Sequence, residues 1–275
     1  MSARAAEPAA LSRPHPLLSL FTLGTVAALV VLPIIALVVH GLDQGPSAAL
    51  AAITRPEASA ALLLTLGLAA ATTVCNGVVG LGVAWALVRW EFPGKGLLAA
   101  LVDLPLSVPT LVAGFLIVAL YGPVGPLAPA LKALDLQVIY ARPALLLALL
   151  FITFPFVVRA VEPVLAELDP TEEAAAATLG ASQWQTFRWV LLPALTPAVA
   201  AGGVQVFARA VAEFGAVAVV SGNIPLKTLT ATVFIQGEVE AGDTAGAAAT
   251  SLVLLGVALL LQPLGRALAA GLVQR

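Results

Sequence analysis

An all-α integral membrane protein with about six transmembrane helices is expected from three features of this 275-residue chain. Hydrophobic residues make up 60% of it and charged residues 10%, against ~45–50% and ~25% in soluble domains. The mean hydropathy is +1.03 over the whole length. Six apolar runs, at about 17–40, 61–88, 97–121, 143–161, 195–220 and 245–270, come close to or exceed the ~20 residues a helix needs to cross a bilayer core.

The runs are too long and too evenly apolar for barrel strands, which alternate in ~10-residue segments. Helices satisfy their own backbone groups in lipid. The first run follows Arg4 and Arg13 but is too long for a signal sequence and lacks a small-x-small cleavage site. It is therefore expected as a retained span after a tail at 1–16. The second run is long enough to tilt. Its Gly77, Gly80 and Gly82, with Gly202 and Gly203 in the fifth run, allow close helix approach, and Asn76 can hydrogen-bond to a neighbour. In the third run Asp103 stands near the start, and Pro105 and Pro109 can break the helix and expose backbone at a cavity. The segments 41–58, 122–142 and 221–244 suit short caps or re-entrant pieces, and 221–228, including Asn223, is rich in turn formers. A short tail at 271–275 closes a membrane domain spanning 17–270.

Orientation follows from the Lys/Arg bias. With both termini on one side, that side collects eight basic residues (Arg4, Arg13, Arg89, Lys95, Arg159, Arg188, Arg266, Arg275) and the other side four (Arg55, Lys132, Arg142, Lys227). Both termini are expected in the cytoplasm.

Several functions are excluded. A net charge of −2 leaves no polybasic surface for nucleic acid. One cysteine, Cys75, and two histidines, His15 and His40, do not make a disulfide, a thiolate cage or a histidine metal centre. Neither HExxH nor GxSxG occurs, so no intramembrane hydrolase can be named. No Walker-type phosphate loop is present, so energy must come from another chain or an ion gradient. A secondary transporter would show repeats and broken or charged helices in both halves; no such repeat is visible.

The largest segment on the cytoplasmic side is 162–194, in which residues 169–193 read DPTEEAAAATLGASQWQTFRWVLLP. Asp169 suits an N-cap, Pro170 the first helical position, and Glu172 the third, where it can close a capping box. Glu173 and the run from Ala174 and Ala175 to Ala177 continue the helix through Thr178 and Leu179 to Gly180, a natural stop. After Ala181, Ser182 with Gln185 starts a second helix with an aromatic face of Trp184 and Phe187, which Pro193 should interrupt. Such a helix–Gly–helix knob can lie on the membrane or dock on a partner. Its acidic start, with Glu167, Asp169, Glu172 and Glu173, would be repelled by anionic lipid and favours a protein partner.

Charges inside spans are costly, ~2.5–3.5 kcal/mol each on insertion scales, and need partners or a path. Arg209 and Glu213 are four apart on one face of the fifth run. They fit a mutual ion pair, an anion-attracting position on a translocation path, or a gate. Asp103 fits a helix-start or interfacial carboxylate better than a contact to an anion.

Glu173-Ala174-Ala175, Gly180 and Val190-x-Leu192-Pro193 resemble the EAA loop of binding-protein-dependent ABC importer permeases. Glu173 stands one residue before the usual glutamate position, which Ala174 occupies. VDLPLSVPTLVAG at 102–114, PFVVRAVEPVL at 155–165, LGASQWQTFRWVLLPALTPA at 179–198 and AEFGAVAVVSGNIPLKT at 212–228 are similar to the sulfate/thiosulfate branch, with molybdate permeases as near relatives. The resemblance covers about residues 60–260, with the EAA-type loop at 166–193. It implies a type I importer permease of the inner membrane, in which Glu172, Glu173, Ala174, Ala175, Thr178, Leu179, Gly180, Ala181 and Ser182 form a cytoplasmic coupling helix. It places Asn223 on the external face and implies a second permease subunit, identical or paralogous, two ATPase subunits and an extracytoplasmic solute-binding protein. No cofactor is expected on this chain; ATP and Mg2+ belong to the ATPase.

Overall fold

The structure, a computed structural model, describes residues 16–273. The N-terminal tail up to residue 15, with Arg4 and Arg13, lies outside the described residues, as do Arg275 and the side chain of Arg266. The helices are α1 (Leu17–Leu42), α2 (Pro46–Thr54), α3 (Pro56–Arg89), α4 (Lys95–Ser107), α5 (Thr110–Tyr121), α6 (Ala128–Ala133), α7 (Arg142–Glu167), α8 (Pro170–Thr178), α9 (Gln183–Val211), α10 (Gly215–Val220), α11 (Ala231–Glu240) and α12 (Thr244–Val273). Five are long and apolar enough to cross a membrane, and the bent pair of α4 and α5 is long and apolar enough only when the two are taken together.

Helices α3, α7 and α9 pack on one another and form the centre. Helix α4 lies against α7, the α5–α10 pair also rests on α7, and α12 joins α9 to α1. Val157 of α7 sits where the three central helices meet. A Cβ on Gly80 would come within 2.9 Å of its Cβ, and one on Gly202 within 2.9 Å of its Cα. These two glycines therefore set the helix spacing. Gly77 and Gly82 have open space instead. Asn76 bridges α3 to α7 as expected, donating to Thr153 Oγ1 at 2.8 Å and Leu150 O at 3.2 Å.

The third run is not one straight helix. Its two halves meet at 116° across Val108-Pro109. The proline ring pushes Val108 out of the helical region, to ψ 126°. Asp103 is accordingly in the middle of α4 rather than at its start. The fifth run also breaks, because α9 ends at Val211 and α10 begins at Gly215. The two breaks touch: a Cβ on Gly215 would fall 2.4 Å from Thr110 Oγ1. Gly114 lets α5 reach the Ala216 backbone, where an added Cβ would lie 2.9 Å from the carbonyl oxygen.

Pro193 does not interrupt the second elbow helix, which runs on into the span. A proline inside a helix leaves the carbonyl four residues back without a donor. The chain absorbs this with a π-bulge at Phe187–Leu191, where Leu192 N–H donates to Phe187 O. The same device stands before Pro33, where Leu32 N–H donates to Ala27 O.

Candidate coupling elbow and intramembrane ion pairs

The elbow starts at Asp169, whose Oδ1 accepts from the Thr171 N–H at 2.9 Å. That hydrogen bond holds the Asp169 carboxyl below the usual carboxylate range. The returning bond expected from Glu172 is not among those of the described residues; Glu172 lines a groove with Arg188 and Trp189. Helix α8 ends in a Schellman motif, with Gly180 N–H on Ala177 O at 3.0 Å and Ala181 N–H on Ala176 O at 3.1 Å. Gly180 takes φ +82°, which only glycine adopts freely. Ser182 restarts the helix with a complete capping box: its N–H donates to Gln185 Oε1 at 2.7 Å, and Gln185 N–H donates to Ser182 Oγ at 3.3 Å.

None of the α8 side chains is buried, and Leu179 at the tip is 89% exposed. Ala174, Ala175 and Thr178 belong to this exposed helix, with the Thr178 hydroxyl turned back onto Ala175 O at 2.7 Å. Glu173 points into the protein, 2.5 Å from Arg89 at the end of α3. The Arg89 guanidinium lies 5.9 Å from the Trp85 ring centre, Trp85 meets Phe187 edge-on at 5.6 Å, and Phe187 stacks on Trp184 at 5.5 Å. Arg89 and Trp85 escape sequence reasoning because they lie in another span. Their signal was the basic end of a long apolar run.

The chain's four tryptophans, Trp85, Trp90, Trp184 and Trp189, all stand on the elbow face. Its two tyrosines, Tyr121 at the end of α5 and Tyr140 just before α7, stand on the opposite face. Aromatic belts at both water interfaces are the mark of a spanning bundle.

Arg209 and Glu213 pair at 2.6 Å across the break after α9. The Glu213 side chain is 1% exposed and also accepts from Ala216 N–H at 3.0 Å, so it pins the start of α10. Thr232 donates to its carbonyl at 2.7 Å, linking α11 to the same point. Arg209 remains 34% exposed. Asn223 is not part of this pair. It stands beyond the far end of α10 at φ +53°, with its N–H on Ser221 Oγ at 3.0 Å.

A second cluster was not foreseen. Arg159, counted in the sequence with the loop cations, lies within α7 and holds Asp103 of α4 through Nε and Nη2, the two nitrogens of one guanidinium edge. A third nitrogen contacts Glu162 at 2.5 Å. The i, i+3 spacing of Arg159 and Glu162 in PFVVRAVEPVL was the available signal. On the opposite face Arg55 bridges Glu238 at 2.5 Å and Asp243 at 3.3 Å, tying the start of α3 to α11 and α12.

The family model for binding-protein-dependent transport system inner membrane components matches residues 78–272. A probable sulfate transport system permease protein of Nephroselmis olivacea is 43% identical over 231 residues, 84% of this chain and 81% of that one. The sulfate transport system permease protein of Escherichia coli K12 is 41% identical over 236 residues, 86% of this chain and 85% of that one. Among solved structures, a bacterial alginate ABC transporter in complex with its alginate-loaded periplasmic protein superposes with a TM-score of 0.75 at 16% identity, covering 90% of this chain and 91% of that one.

Fold and matches together define a multi-span permease component of an ABC transport system, embedded in the membrane. The chain belongs to the binding-protein-dependent transport system inner membrane component family.

Proposed function

We infer that this chain is a permease subunit of an ATP-driven importer for sulfate or thiosulfate, and that the elbow at 169–182 is its contact with the ATPase. The observation that carries this is the elbow itself, a capped helix with an exposed tip, fastened to the central helix α3 by Glu173 and Arg89. A surface linker has no need of an ion pair to a spanning helix. The substrate follows from relatives named as sulfate permeases, about 40% identical over more than four-fifths of both chains.

In this account the elbow face is cytoplasmic, with both termini on that side, and the opposite face receives a solute-binding protein. Two permease subunits, identical or paralogous, pair with two ATPases, which hold the ATP and Mg2+. Movement of the ATPases displaces α8 and, through Glu173–Arg89 and the Trp85–Phe187–Trp184 stack, reorients α3 and α9. Arg209 offers positive potential to the passing oxyanion, Glu213 holds it in place, and Asn223 lies on the entry face.

The test is ATPase activity of the reconstituted complex with binding protein loaded with sulfate, thiosulfate or molybdate. Stimulation by sulfate- or thiosulfate-loaded protein is expected. Stimulation by molybdate alone would overturn the substrate and keep the architecture.

A further inference from the structure

Asp103, Arg159 and Glu162 form a charged cluster inside the bundle. Arg159 stands eight residues before the end of α7, and Asp103 eight residues after the start of α4. At 1.5 Å per residue both are about 12 Å in from the elbow-side helix ends. The Asp103, Arg159 and Glu162 side chains are nevertheless 46%, 36% and 30% exposed. Beside them opens a cavity of about 290 Å³, lined by Leu106, Pro155, Phe156, Arg159, Ala160 and Gln205. Gln205 of α9 is exposed and has no hydrogen-bond partner among the described residues. Three charges and a free amide on one side of a bundle cannot face lipid tails, so this side faces water or another protein. The volume is about ten times the ~30 Å³ share of a water molecule.

We propose that this α4–α7 side lines the aqueous pathway near its elbow end, and that Arg159 is the residue that meets the oxyanion there, with Asp103 as the carboxylate it exchanges. This rests on the anion-importer assignment. The paired grip of Nε and Nη2 on Asp103 is the geometry by which a guanidinium holds any planar or tetrahedral oxyanion. While Asp103 is in place the cluster carries one net negative charge and repels an anion. Helix α4 is bounded by Gly94 at φ +91° and by the break at Val108-Pro109, so it can swing as a unit and take Asp103 with it. The cavity then presents an open guanidinium with Gln205 opposite. Each passage is a ligand exchange on Arg159, and no covalent bond changes.

The test uses the complete complex in proteoliposomes, comparing the wild type with Arg159→Lys and the charge-swapped Asp103→Arg/Arg159→Asp. The swap keeps the interhelical pair but puts a carboxylate on α7. It is expected to restore assembly of the complex while uptake stays at least tenfold down; recovered uptake would reduce the pair to a strut and overturn the proposal. Arg159→Lys, which keeps the charge and loses the paired-nitrogen grip, is expected to assemble and to lower the uptake rate at saturating loaded binding protein several-fold. An unchanged rate would contradict the contact. A second readout does not depend on the substrate. In a Cys75→Ser background, Ala160→Cys should react with a charged, membrane-impermeant methanethiosulfonate. Absence of reaction would overturn the aqueous placement even if transport is normal. Wild-type complex that moves molybdate but not sulfate would correct the substrate and leave this inference standing.

Discussion

Glu173 and Arg89 meet at 2.5 Å although 84 positions separate them in the chain. Glu173 is thus turned inward onto the end of α3, while Glu172, Leu179 and the turn through Gly180 stay exposed. The position of Glu173 one residue ahead of the family's usual glutamate places it on the face of α8 that Arg89 can reach. The pair is the ionic link between the elbow and the central helices, so its loss should uncouple the two more than it unfolds either.

Replacing Glu173 by Gln removes the charge and keeps the shape. Both side chains are about three-quarters buried, so the pair contributes about 1 kcal/mol. Sulfate uptake per ATP hydrolysed is expected to fall several-fold while the complex still assembles and hydrolyses ATP. Uptake and hydrolysis that stay in the wild-type ratio would remove Glu173 from the coupling path.

Gly180 holds φ +82° with open space where a Cβ would stand, so the cost of substitution is backbone strain rather than a clash. Gly180→Val should cost about 1–2 kcal/mol locally. It is expected to uncouple ATPase activity from uptake without affecting membrane insertion, whereas Gly180→Asn, which tolerates the left-handed region, should stay near wild type. Equal activity of both variants would contradict the elbow.

Arg209→Ala leaves the Glu213 carboxylate buried and unpaired; because Arg209 is one-third exposed, the loss falls short of that for a fully buried pair, at about 2–3 kcal/mol. Arg209→Ala/Glu213→Gln keeps the acceptor for Ala216 N–H without the charge, and should unfold at higher temperature than Arg209→Ala alone. Both should transport weakly with the ATPase still bound. Normal uptake by both would end any path role for the pair.

Asp169 adds a pH dependence. Its folded pKa is lowered below 3.8 chiefly by the Thr171 amide. A lowered pKa means that its stabilisation is present above the unfolded value and is lost as pH falls through the folded one. Amide exchange at 171–177 should therefore be slower in the wild type than in Asp169→Ala at pH 7, and the gap should begin to narrow below about pH 4 and close as pH falls through the folded value. A difference that persists unchanged at pH 3 would contradict the capping role.

The two packing glycines make a contrast with a third. Gly202→Ala drives a methyl toward Val157 Cα, and overpacking of this kind costs about 1–3 kcal/mol. Gly82→Ala meets nothing within 4 Å and should be neutral. Thermal unfolding of the detergent-solubilised complex separates the two.

The spans, the elbow and its caps were legible because each is written in a few consecutive residues. Asp169 and Ser182 cap where they stand, and Gly180 takes the conformation its lack of a side chain allows. Pro109 announced a break but not its 116° direction, which depends on Gly114 meeting Ala216 and Gly215 meeting Thr110 across two helices. Pro193 misled in the opposite sense, because a π-bulge absorbs it. The partners of Glu173 and Asp103 were hidden for a different reason. Arg89 and Arg159 sit on other spans, and helix rotation and tilt, which sequence spacing does not encode, decide who faces whom. Glu213 was seen as a pair with Arg209, but its second task of holding α10 became visible only with the break after Val211.

The most direct test of the elbow as the coupling contact is cysteine cross-linking from Leu179→Cys, in a Cys75→Ser background, to the ATPase subunit of the assembled complex. A cross-link to the ATPase whose yield changes when ATP is added is the expected result. A Leu179→Cys that reacts with no ATPase residue, in a complex that still hydrolyses ATP and imports sulfate, would contradict it.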